Sequence, residues 1–192
     1  MPNLYVIAGC NGAGKTTASL TLLPEVLNCY EFVNADSIAA GLSPLNPESV
    51  SFEAGRIMLN RIRHLLSEGV DFAFETTLAS RSYVSLIKEA ITQGYTVTLL
   101  YFWLDSPEFA IQRVARRVRG GGHNIPKEII ERRYFRGMKN FITLYKDLCD
   151  KWMVIDNMYS VPNLIGESNK GEINIVNELV WMTFIQQSNN GK

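Results

Sequence analysis

Residues 9–16 read Gly9-Cys10-Asn11-Gly12-Ala13-Gly14-Lys15-Thr16, which satisfies G-x-x-x-x-G-K-[ST]. The residue types follow from the chemistry of holding phosphates. Glycines let a backbone fold round an anion and aim several N–H groups inward. A helix opening at Gly14 adds the positive end of its dipole. Lys15 is placed to reach the β- and γ-phosphates, and the Thr16 hydroxyl to ligate Mg²⁺. Cys10, Asn11, Ala13 and Thr17 complete the expected contacts to a bound nucleotide. A chance match in a chain of 192 residues has a probability on the order of 1%. The segment also sits between an apolar run, Leu4 to Ala8, and a helical pattern from about Lys15 to Leu27, as the mechanism requires. Leu20, Leu23 and Leu27 fall on one side of that helix.

The rest of the chain repeats this alternation. Glu31 to Asn34, Val70 to Glu75, Tyr95 to Leu104 and Trp152 to Ile155 read as further strands. Helices are expected from Pro47, capped by Asn46, to about Glu68, and from Ser82 to Gln93. Two more run from Ser106-Pro107 to about Arg119 and from Pro126 to about Asp150. The last carries Tyr134, Met138, Phe141, Tyr145 and Leu148 three or four apart, a core stripe. A hairpin and a helix from about Val176 to Ile185 finish the chain, whose Asn-Gly-Lys tail is expected to fray. Alternating strands and helices imply an α/β fold with a parallel sheet, and ligands then bind at the carboxyl ends of the strands.

That rule selects the polar residues. Asp36 lies just past the second strand, where a carboxylate can accept a proton from an attacking hydroxyl or hold Mg²⁺ through water. It is equally suited to cap a helix from Ser37 onward. Glu75 ends the third strand and can orient a metal's water shell or bind substrate hydroxyls. Thr76, Thr77 and Arg81 follow it as substrate contacts. Asp105 reads as a turn or cap residue, and Asn157, past the fifth strand, as a contact to the nucleotide base. Cys10, close to Lys15, is expected to have a depressed pKa and to react with alkylators unless ATP covers it.

Nine of the nineteen basic residues lie between Arg113 and Lys139. They bracket Gly120-Gly121-Gly122-His123, a break between two helices. This is the layout of a lid over phosphates, with two helical arms and a glycine tip. Arg116 and Arg117 share a face with Arg113 and are the expected catalytic arginines. Arg119 and His123 are further candidates, while Arg132, Arg133 and Arg136 read as solvent or salt-bridge residues.

Composition removes the competing classes. Nineteen acidic residues balance nineteen basic ones, so whole-molecule attraction to nucleic acid or anionic membrane is not expected. No apolar run approaches a membrane span and no secretory leader is evident. Three scattered cysteines and two histidines offer no disulfide framework, no zinc site and no multi-histidine metal site, which fits a reducing cytoplasm.

Five segments in order resemble the zeta-toxin-like kinases, in particular their short bacterial branch. They are Leu4-Tyr5-Val6-Ile7-Ala8-Gly9, Asn11 to Thr17, Phe32-Val33-Asn34-Ala35-Asp36, Phe74-Glu75-Thr76-Thr77, and Arg116-Arg117-Val118-Arg119 with Gly121 to Pro126. The likeness covers roughly Leu4 to Asn157. It implies a phosphate-loop kinase fold with a helical lid, using ATP and Mg²⁺ to phosphorylate a hydroxyl of UDP-N-acetylglucosamine. In that frame Lys15 meets the phosphates, Thr16 the metal, Asp36 activates the hydroxyl, and Glu75 faces the substrate. Arg116 or Arg117 matches a lid arginine. Where the toxins carry a second arginine before the Pro-Lys helix start, this chain has His123.

The expectation is therefore a P-loop kinase-type α/β fold with about five parallel strands, in one domain over residues 1–192. Its lid would span approximately 113–139 and its C-terminal hairpin and helix approximately 158–186. The chain would be a cytoplasmic kinase for a small polar acceptor such as a sugar nucleotide, with an antitoxin protein as a further partner and no membrane. The alternatives are a polynucleotide or other small-molecule kinase, and a nucleotide-binding regulatory or antitoxin-partner module without turnover.

Overall fold

A computed structural model describes residues 1–122, 124–159 and 161–190. The apolar run after the N-terminus forms β1 (Asn3–Ala8), followed by α1 (Lys15–Glu25), β2 (Glu31–Val33) and α2 (Ala35–Leu42). A 3₁₀ turn, Pro47–Val50, leads into α3 (Ser51–Glu68), then β3 (Phe72–Thr76), α4 (Tyr83–Thr92) and β4 (Thr96–Trp103). The basic segment supplies α5 (Pro107–Arg119) and α6 (Lys127–Asn140). The chain closes with β5 (Lys151–Asp156), β6 (Asn163–Asn169), β7 (Glu172–Ile175) and α7 (Glu178–Ser188).

The strands form one seven-stranded sheet in the order β2-β3-β1-β4-β5-β6-β7. The first five are parallel, as the alternating pattern requires; β6 and β7 add antiparallel pairs at one side. The expected five-stranded parallel sheet is thus the central part of a larger mixed one. β1 sits in its middle, where Leu4, Val6, Ile7 and Ala8 have no solvent exposure. The crossover leaving β1 returns to β2 on one side and that leaving β4 returns to β5 on the other. A crevice opens where such crossovers diverge, at the carboxyl end of β1.

Local differences from the sequence reading have simple causes. On α1, Leu23 is buried but Leu20 is 69% exposed, and Ser19 takes the buried place beside the sheet. Asn46 makes no side-chain capping bond; Pro47 opens a tighter first turn and the α-helix begins at Ser51. The long helix expected to reach Asp150 ends as α-helix at Asn140 and continues as a π-helical turn, Phe141–Tyr145. Its stripe is core as expected, with Tyr134, Met138, Phe141 and Tyr145 buried. The C-terminal segment, in which no chemistry is legible, seals this region. Phe184 of α7 packs edge-on against Tyr101 and Phe141, and Trp181 stacks on Trp152.

Candidate functional site

The loop at residues 9–14 takes a path open to glycine. Gly9, Gly12 and Gly14 have φ of 137°, 82° and 82°. A Cβ on Gly12 would lie 2.7 Å from the Ala110 carbonyl oxygen of α5, and one on Gly9 would collide with the Phe102 carbonyl of β4. Gly14 caps α1 with no side-chain hydrogen bond and no acidic residue follows in the first turn. The first N–H groups of that helix are therefore left for an anion.

Glu75, at the end of β3, organises the groups around the loop. Its Oε1 lies 3.4 Å from Lys15 Nζ. Its Oε2 accepts hydrogen bonds from Thr16 Oγ1 and from Asn34 Nδ2, each at 2.7 Å. Lys15 also donates to the Cys10 carbonyl at 2.9 Å. Glu75, expected on the substrate side, is thus tied to the phosphate loop as well. A hydroxyl beside a carboxylate is an oxygen donor set that suits Mg²⁺. Among the described residues no group of three or more His, Cys, Asp or Glu is placed to hold a metal ion.

The neighbouring Asn34 takes the capping role to which Asp36 was equally suited. Its Oδ1 accepts the N–H groups of Asp36 and Ser37 at 2.8 and 3.2 Å. Asp36 thereby occupies the first turn of α2 and is exposed. The signal was present, since asparagine caps helices as well as aspartate does. Asn34 joins both halves of the site, one end holding α2 and the other Glu75.

Three cavities meet at Asp36. The largest, about 650 Å³, lies over the phosphate loop and is lined by Lys15, Thr16, Thr17, Arg113, Arg116 and Arg117 among others. A second, about 200 Å³, is lined by Thr76, Thr77, Ser80, Tyr83, Asn11 and Arg133. A third, about 370 Å³, runs between α2 and α6 past Ala39, Ile125, Ile129 and Arg133. Asp36 lines all three. The structure thus brings together the phosphate loop, Asp36, Glu75, Thr76, Thr77, Arg116 and Arg117. Arg81 stands apart, in a cavity of about 360 Å³ with Arg136 and Lys139.

Three side chains have duties the sequence reading did not assign. The Thr76 hydroxyl accepts the Leu78 N–H at 3.0 Å, helping to hold Leu78 at a φ of 59°. Asn157 donates from Nδ2 to the Ala13 carbonyl at 2.6 Å, so its amide supports the loop from beneath. Its own carbonyl accepts from Arg113 at 2.8 Å. Arg133 reaches from α6 to donate to Asn11 Oδ1 at 3.0 Å. Burial pushes its pKa down, and Asp36 opposes that shift. Arg133, expected as a solvent or salt-bridge residue, is instead partly buried and bonded to the loop; its spacing along α6 did not reveal how closely that helix approaches the loop.

The reactive-thiol expectation for Cys10 is also overturned. The side chain is 2% exposed, and burial pushes its pKa up to about 11, outweighing the opposing effect of Lys15. His123 lies outside the described residues.

Asp105 acts as a turn residue, its Oδ1 accepting from Ser106 Oγ at 3.0 Å, while Ser106 caps α5 by accepting from the Phe109 N–H. Among the described residues no helix is long and apolar enough to cross a membrane.

The sequence matches the zeta toxin family over residues 1–163. An uncharacterized protein of Haemophilus influenzae is 30% identical over 126 residues, 66% of this chain and 88% of its own. Solved structures share the fold at low identity. A chain of the AvrRxo1-ORF1:-ORF2 complex with ATP superposes with a TM-score of 0.78 at 15% identity. The match covers 96% of this chain and 63% of that one. A chain of the PezAT toxin-antitoxin system of Streptococcus pneumoniae gives 0.61 at 16% identity, covering 99% and 87%. A gluconokinase from Sinorhizobium meliloti gives 0.52 at 14% identity, covering 98% and 94%.

Proposed function

The chain belongs to the zeta toxin family, and from that premise we propose that this phosphotransferase moves the γ-phosphoryl group of ATP to a hydroxyl of a small polar acceptor. The observation that carries the reading is the place of Asp36, on the wall common to the cavity over the phosphate loop and the two cavities beyond it. A group crossing between donor and acceptor passes this carboxylate.

The residues then take distinct parts. The loop N–H groups and Lys15 hold the β- and γ-phosphates. Lys15 exchanges its contact with Glu75 for the nucleotide as it does so. Thr16, with Glu75 behind it, would hold Mg²⁺, which when bound would neutralise phosphate charge. Asp36 accepts the proton of the acceptor hydroxyl. The hydroxyl oxygen bonds to the γ-phosphorus, the bond from that phosphorus to the β-bridging oxygen breaks, and ADP leaves. Arg116 and Arg117 close the donor cavity, and Thr77 with Tyr83 meets the acceptor. α5 and α6 serve as the two arms of the lid of a single domain, α6 being the arm held fast against the loop after β3. UDP-N-acetylglucosamine is the leading acceptor, a cytoplasmic site of action fits it, and an antitoxin protein is the partner we expect by analogy with the PezAT system.

The test is γ-phosphoryl transfer from ATP with Mg²⁺ to a panel of sugar nucleotides, nucleosides and oligonucleotides, run beside Asp36→Ala. Label on one acceptor, lost by about 10³-fold in the variant while ATP binding survives, supports the reading. ATP binding with no labelled acceptor, or transfer unchanged in Asp36→Ala, overturns it in favour of a binding module or a different base.

A further inference from the structure

We propose that Arg133 is a catalytic residue of this reaction, meeting the transferring phosphoryl group from the acceptor side. The inference rests on the kinase reading above and extends it.

Four observations converge on this side chain. It lines both acceptor cavities, each of which also includes Asp36. Its one hydrogen bond among the described residues is to Asn11 Oδ1, and Asn11 lines both the cavity over the phosphate loop and the smaller acceptor cavity. The guanidinium therefore stands at the passage between the two. A guanidinium has five N–H donors in a rigid fork. One bond to Asn11 leaves donors facing a cavity in which a phosphoryl oxygen would arrive.

The helix carrying Arg133 is also fixed in place. Gly137, one turn further along α6, packs so closely on the loop after β3 that a Cβ there would lie 2.6 Å from the Thr77 carbonyl oxygen. Asn140 donates to the Leu78 carbonyl at 2.8 Å, and the Tyr145 hydroxyl donates to the Ser80 carbonyl at 2.6 Å. The Tyr134 hydroxyl lies 2.8 Å from both the Leu104 carbonyl and Gln187 Oε1. A donor held this way needs no reorganisation as charge develops, which is where electrostatic stabilisation of a transition state is largest.

The charge balance supports the same placement. Transfer brings a phosphoryl group bearing negative charge towards the Asp36 carboxylate. Two like charges in a partly dehydrated pocket repel unless a cation lies between them. Arg133 is a partly buried cation that lines both cavities together with Asp36, whose carboxylate favours its charged form. Arg116 and Arg117 are exposed and line the donor cavity alone.

The experiment uses ATP hydrolysis, with water as the acceptor, and MgATP binding by calorimetry. It compares wild type, Arg133→Ala, Arg133→Gln and Arg133→Lys. The expected result is a fall in turnover of about 10²- to 10³-fold in Arg133→Ala and Arg133→Gln, with MgATP affinity within about 3-fold of wild type. Arg133→Lys retains part of the rate. Millimolar guanidinium raises turnover in Arg133→Ala and leaves the wild type unchanged, which a purely structural arginine would not produce. Turnover within about 3-fold of wild type in both neutral variants, parallel loss of ATP binding, or absence of guanidinium rescue overturns the assignment. Those outcomes leave the kinase reading standing. If the wild type neither binds nor hydrolyses ATP, the kinase reading falls and this inference with it.

Discussion

The two helices of the basic segment carry similar arginines and do different things with them. On α5, Arg116 and Arg117 are exposed, in the last turn of a helix, facing the cavity over the phosphate loop. Their neighbour Arg113 lies over the Phe109 ring and donates to the backbone carbonyls of Asn157 and Met158. On α6, Arg133 is partly buried, bonded to the phosphate loop and lines the two cavities beyond it. An arginine in water is a screened charge; the same group partly withdrawn from water is screened less and acts more strongly on an anion that arrives beside it. Depth, rather than the number of charges, separates the two arms.

The comparison can be broken most severely at Gly137. Gly137→Ala forces α6 away from Thr77 and carries Arg133 with it. Transfer is expected to fall about 10²-fold, since a displacement of about 1 Å at a reacting centre has that effect. Stability should drop by about 1–3 kcal/mol from overpacking. Steady-state kinetics and urea titration measure the two, and unchanged kinetics would show that the position of α6 is not critical.

A smaller effect is expected from Arg116→Ala combined with Arg117→Ala. ATP affinity should weaken by about 10-fold at low salt, and the difference from wild type should shrink as ionic strength rises, because exposed charges are screened. The turnover loss in Arg133→Ala should be insensitive to salt. Equal salt dependence of the two would erase the distinction between the arms.

Asn157→Ala removes the 2.6 Å bond that supports Ala13. About 1 kcal/mol of stability should be lost, read as a Tm lower by about 2–4 °C, with a KM for ATP about 3-fold higher. The smallest effect concerns Cys10. With its pKa raised to about 11, the thiol stays protonated at neutral pH, so alkylation should be slow whether or not ATP is present. The linkage has a defined sign. A group whose folded pKa is raised favours the folded state below the unfolded value near 9 and loses that contribution as pH climbs towards 11. The denaturation midpoint should therefore be level through neutral pH and fall above about 9. Rapid labelling at neutral pH, or a midpoint level to pH 11, would contradict the burial of this thiol.

Much of this was legible in the chain. The phosphate loop, the five parallel strands, the strand-end positions of Asp36 and Glu75, and the core stripe from Tyr134 to Tyr145 all follow from local pattern. Each depends on residues adjacent in sequence or on a single element's period. Arg133 and Asn157 make contacts that local pattern does not show, because their partners are remote. Arg133 finds Asn11 across 122 positions, and Asn157 finds Ala13 across 144. Cys10 was misread for a related reason. Its neighbour Lys15 is visible in sequence, but the desolvation that outweighs Lys15 comes from the elements packed over it.

The sequence by itself determined the phosphate-binding chemistry and the alternation that builds a parallel sheet, because glycine conformations and side-chain periodicity are local properties of the chain. Only the tertiary structure decided which arginine enters the passage and which asparagine supports the loop. The place of Arg133 depends on how closely α6 and the turn that follows it pack against the loop after β3, through Gly137, Asn140 and Tyr145, and no spacing along one element encodes the distance between two.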